Sequence, residues 1–104
     1  ETAVDAAIRE VREELGLTLA AATLTPVAVM QRTDGTDDPI EQRVDWIFVC
    51  DEWAGEPEIL EPRKCAELDW FALDALPDRM PEYEREALGA LRSGAGATLL
   101  SHGF

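Results

Sequence analysis

Glu10, Glu13 and Glu14 stand at i, i+3 and i+4, a spacing that places three carboxylates on one side of an α-helix. Carboxylates gathered in this way are hard oxygen donors, and the chemistry open to them is the capture of a divalent cation. The clustering has a cost. Like charges four residues apart destabilise a helix by about 0.2 to 0.5 kcal/mol per pair, and these also crowd the negative end of the helix dipole. A bound cation would offset both terms. A solvated acidic face, or an acidic surface that meets another protein, shows the same spacing, so spacing alone does not choose among the three.

The elements that must carry these acids follow from capping and periodicity. Thr2, with Asp5 three residues later, reads as a variant of the capping box. Val4, Ile8, Val11 and Leu15 recur at helical spacing and Gly16 supplies a stop, so a helix is expected over Ala3 to Leu15. Its apolar side lies roughly 130° from the acids, at about 100° per residue. Val27 to Gln31 reads as a strand, followed by a turn-rich loop from Thr33 to Pro39. The next strand has Val44, Trp46, Phe48 and Cys50 on one side and Asp45, Ile47, Val49 and Asp51 on the other. With apolar groups on both faces, it is expected to be covered from two sides. Gly55-Glu56-Pro57 and Pro62 interrupt the chain before Leu68, Trp70 and Phe71 suggest a short strand. Leu73 to Pro77 reads as a tight turn, and Pro81 opens a second helix with Tyr83, Ala87, Leu88 and Leu91 inward. The Gly- and Ala-rich tail, 94–104, is expected to be flexible.

With 104 residues, 46% hydrophobic and 30% charged, the chain has the composition of one small globular domain. Its formal charge of -13 argues against nucleic-acid polymers and anionic membranes as partners. A small anionic ligand would need a local positive charge, which a metal ion could supply. The longest apolar-leaning stretch, Leu15 to Gln31, includes Gly16 and Pro26 and is too short and too broken to span a membrane. No signal peptide is visible, and Cys50 and Cys65 lack metal-ligand spacing, which makes a cytoplasmic location the default expectation.

Glu1, seven residues, Arg9-Glu10-Val11, one residue, Glu13-Glu14, one residue, Gly16-Leu17 meets every position, from its first Glu onward, of the pattern G-x5-E-x7-R-E-U-x-E-E-x-G-U, where U is aliphatic. The chain therefore resembles the Nudix hydrolases. The resemblance implies an α/β/α sandwich around a mixed β-sheet. It also implies that Glu10, Glu13 and Glu14 are ligands of Mg²⁺ or Mn²⁺, with Arg9 and Glu1 in supporting roles. A second stretch, Trp53-x-Gly55-Glu56-Pro57 with Glu61 after three more residues, is similar to a loop of the MutT-like members, which makes Glu61 a fourth carboxylate of the metal site. The implied reaction is attack of water on a phosphoanhydride of a nucleoside di- or triphosphate, or of a related nucleoside-diphosphate-linked compound, with Glu10 or Glu61 as the base. A non-catalytic Nudix-fold module that binds a nucleotide or other ligand is the alternative.

Because the chain begins at Glu1, inside the pattern, it reads as a fragment without the family's N-terminal strands, whose exposed sheet edges would invite self-association. Other conspicuous residues carry plainer expectations. His102 reads as a surface residue, Cys50 as core, Cys65 as a buried or half-buried small residue, and Trp46 and Trp70 as core. Asp34, Asp37 and Asp38 read as turn residues, since the ligand pattern of a calcium loop is absent. Met80 and Tyr83 fall where some relatives contact the base. Met80 offers no hydrogen-bonding group of the kind that would read an oxidised purine.

Overall fold

A computed structural model describes residues 1–35, 38–94 and 98–104. Helix α1 spans Ala3–Leu15. The Thr2 hydroxyl accepts the amide hydrogen of Asp5, and Gly16 closes the helix in the left-handed region with φ 71°, its N–H donating to the Arg12 carbonyl. Such a cap is worth about 1 kcal/mol. Strand β1 is Leu24–Arg32, β2 is Arg43–Cys50, α2 is Glu82–Arg92 and β3 is Thr98–His102. The strands form one mixed sheet in the order β2-β1-β3, with β1 and β3 parallel from Ala28 opposite Thr98 to Arg32 opposite His102. Pro81 stands just before α2 as its N-cap, and Ala87 is buried while Tyr83, Leu88 and Leu91 are half-buried, as periodicity predicts.

The chain forms two compact units. One comprises Glu1–Thr25 with Val49–Trp70, the other Pro26–Phe48 with Phe71–Phe104. In the first, Leu17 is buried, and the apolar side of α1, through Val11 and Leu15, lines a cavity of about 470 Å³ with Trp53, Pro57 and Trp70. In the second, Met30 is fully buried and borders a cavity of about 400 Å³ lined also by Arg32, Asp45, Tyr83 and Ala87. Several large apolar side chains, among them Ile40, Trp46, Trp70 and Leu99, are exposed.

Three expectations are corrected. The stretch from Leu68 to Phe71 forms no strand: the Asp69 carboxylate accepts the Trp70 amide hydrogen at 2.8 Å, a local bond that competes with sheet pairing. Trp46 and Trp70 are not core but exposed, Trp70 stacking on Trp53 with ring centroids 5.8 Å apart. Val44 is exposed too, so the first half of β2 is open on the side it shares with Trp46. The supposed flexible tail carries β3, because the Gly- and Ala-rich run ends at Ala97 and Thr98-Leu99-Leu100 has strand-forming character. Gly103 fixes the end of that strand. A Cβ there would lie 2.2 Å from the Thr33 carbonyl oxygen. Of the three aspartates read as turn residues, Asp38 caps a short 3-10 turn by accepting the Ile40 amide hydrogen, and Asp37 lies outside the described residues.

Candidate carboxylate centre

Every residue expected at the site lies in the first unit. Helix α1 sets the spacing of Glu10, Glu13 and Glu14, and its capped C-terminal end recruits the loop that carries Glu61. The last carbonyls of a helix have no partner within it. Here the Leu60 amide donates to the Glu14 carbonyl at 3.0 Å, and the Glu58 amide donates to the Leu15 carbonyl at 3.1 Å. A two-way backbone bridge between Thr18 and Ala54 secures the segment after the helix. Gly16 is required at this junction twice over. Its φ is unfavourable for other residues, and a Cβ would meet Leu60 Cδ1 at 3.3 Å and a Glu58 carboxylate oxygen at 3.4 Å.

These backbone contacts bring Glu61 beside Glu14. The Lys64 ammonium stands 3.3 Å from Glu61 and 3.8 Å from Glu14, bridging two elements far apart in sequence. Its pKa is raised, chiefly by the hydrogen bond to Glu61. Arg9 organises the rest. Its Nε donates to both carboxylate oxygens of Glu1 at 3.0 and 3.1 Å, Nη2 donates to Glu1 at 2.6 Å, and Nη1 donates to Glu13 at 3.1 Å. Glu10 lies 3.8 Å from the same guanidinium. The hydrogen bonds from Arg9 hold the Glu1 carboxyl below its ordinary range and raise the Arg9 pKa in turn. The stabilisation from Glu1 is therefore complete above the ordinary carboxylate range and is lost as pH falls through the lowered value.

The four carboxylates expected to act together are thus held in two groups, Glu10 and Glu13 at Arg9 and Glu14 and Glu61 at Lys64. Among the described residues no three His, Cys, Asp or Glu side chains converge closely enough to enclose an ion. Each group keeps more carboxylates than cations, so Arg9 and Lys64 offset only part of the repulsion within it. The donor set nonetheless fits a hard divalent cation, since it consists of carboxylates alone, and Glu14 and Glu61 already reach a single cationic atom from separate elements.

A family model described as the NUDIX domain matches residues 1–91. The chain belongs to the NUDIX family. Its fold agrees with that of a solved structure, "Crystal structure of MutT NUDIX hydrolase from Burkholderia pseudomallei", with a TM-score of 0.75 and 34% sequence identity. The similarity covers 86% of this chain and 66% of that one, so the chain spans just under two thirds of that hydrolase's length. No curated protein matches the chain. The family match runs across both compact units of this NUDIX chain, and the α/β architecture with a mixed sheet agrees with the expectation from sequence.

Sequence reasoning missed Lys64. The available signal was that it is the chain's single lysine, set three residues after Glu61 in an acidic loop. It also missed a polar group in the second unit, where the Arg32 guanidinium pairs with Asp45 and lies 4.2 Å over the Tyr83 ring. The Asp45 hydrogen bond raises the Arg32 pKa. His102, expected at the surface, is instead half-buried on β3, with Nδ1 2.9 Å from Glu86. Cys65 is half-buried as expected, whereas Cys50, expected in the core, is also only half-buried, its thiol donating to the Glu52 carbonyl at 2.9 Å.

Proposed function

We propose that this NUDIX chain carries the carboxylate centre of a metal-dependent phosphohydrolase, which cleaves a phosphoanhydride of a nucleoside di- or triphosphate, or of a related nucleoside-diphosphate-linked compound. The observation that carries this reading is the meeting of Glu14 and Glu61 on one ammonium group beside the helix that bears Glu10 and Glu13. Glu10, Glu13, Glu14 and Glu61 would hold Mg²⁺ or Mn²⁺. When bound, such an ion supplies the positive charge that polarises the phosphoanhydride and offsets the chain's own charge of -13.

The chain's residues then have defined tasks. Glu10 or Glu61 accepts a proton from water as the water oxygen bonds to phosphorus, and the bond from phosphorus to the leaving phosphate oxygen breaks. Arg9, anchored on Glu1, restrains Glu13 through its second arm. Gly16 lets the loop approach closely enough to present Glu61. No nucleophilic side chain is needed.

Hydrolysis of a panel of nucleotides by the protein in the presence of Mg²⁺ provides the check. Glu13→Gln and Glu14→Gln should each lower turnover by about a hundredfold or more. Unchanged turnover in both variants contradicts the reading. Ligand binding that survives metal chelation, with no hydrolysis of any nucleotide, would assign the chain to the non-catalytic members instead.

A further inference from the structure

We propose that the Lys64 ammonium is a tethered counter-ion that competes with the divalent cation for Glu14 and Glu61, and so sets how tightly this site takes metal. The inference rests on the metal-dependent reading above and adds a regulator that lies outside the family pattern.

Three observations carry it. Lys64 is the only lysine in a chain of formal charge -13, and its ammonium sits between two carboxylates that come from different elements. Its backbone is fixed, because the amides of Lys64 and Cys65 both donate to the Glu61 carbonyl at 2.9 and 3.0 Å. Its side chain is 59% exposed, so the ammonium can leave the carboxylates for water without moving the loop. A lysine is suited to such a part. It presents a compact charge on a flexible stem, and its contacts depend on charge rather than on a fixed fork of donors.

The physical consequence has a definite sign. Without metal, the ammonium offsets repulsion between Glu14 and Glu61 and keeps them together. A divalent cation entering between the same carboxylates must displace it or bind beside it, and either costs affinity. For a unit charge beside a divalent ion in a solvent-exposed site, the cost after screening corresponds to about three- to tenfold in affinity.

Mn²⁺ titrations without substrate, read from the paramagnetic resonance signal of the free ion, distinguish this role from others. Lys64→Gln and Lys64→Ala should each bind Mn²⁺ about three- to tenfold more tightly than the natural chain, and the gain should shrink as salt is raised. Lys64→Arg, which keeps the charge, should stay within about twofold of the natural chain. Equal or weaker Mn²⁺ binding by both neutral variants overturns the proposal while leaving the metal site in place, and would make Lys64 a support for Glu61 instead. Absence of Mn²⁺ binding in the natural chain and in every variant overturns the metal-dependent reading together with this inference.

Discussion

The two ends of the carboxylate centre are built on opposite principles. At Arg9 a planar guanidinium grips Glu1 with three short hydrogen bonds and Glu13 with a fourth, fixing side chains that come from the helix and the residues just before it. At Lys64 a flexible, largely exposed ammonium makes two longer contacts, but it joins the helix to a distant loop. The difference teaches which cation is part of the framework and which can be exchanged. Geometry is stored where the donors are many and local. Exchange is possible where the alignment comes from the backbone, through the Leu60 and Glu58 amides on the last carbonyls of α1, and the side-chain cation only neutralises charge.

The sharpest way to break this contrast is to exchange the cation at the framework end. Arg9→Lys keeps the charge but removes the fork, and should lower turnover or Mn²⁺ affinity by about 10- to 100-fold, measured by steady-state kinetics and by metal titration. At position 64 the reverse exchange should matter little. Equal tolerance at both positions would remove the distinction. A smaller effect is expected from loosening the backbone junction itself. Gly16→Ala should cost about 1 to 2 kcal/mol in urea unfolding, through a strained φ and the contact with Leu60. A stability unchanged from the natural chain would mean that the loop does not depend on this close approach.

Much of this centre was legible because α1 is a local element. Thr2, the four apolar residues and Gly16 determine its ends and its faces without help from the rest of the chain, and the acids follow from spacing. Glu61 was reachable only through family resemblance. Its partner contacts arise from a loop crossing the helix end, and no periodicity reports such a crossing. Lys64 escaped for a related reason, since a lone lysine among glutamates looks like ordinary solvated loop. The misread strand at Leu68 to Phe71 shows the limit of alternation as a signal: a strand needs a neighbour to pair with, and Asp69 satisfies the Trp70 amide locally. For β3 the error ran the other way. The Gly- and Ala-rich run before it concealed a short strand whose pairing partner, β1, lies far back in the chain.

Paramagnetic broadening of amide signals by Mn²⁺ reads most directly whether Glu14 and Glu61 serve one cation. The amides of Glu10 to Gly16 and those of Leu60 to Cys65 should broaden together, with a single dissociation constant, and Glu61→Gln should weaken the effect on both segments. Broadening confined to the helix, with the same Mn²⁺ affinity in Glu61→Gln as in the natural chain, would contradict a shared centre.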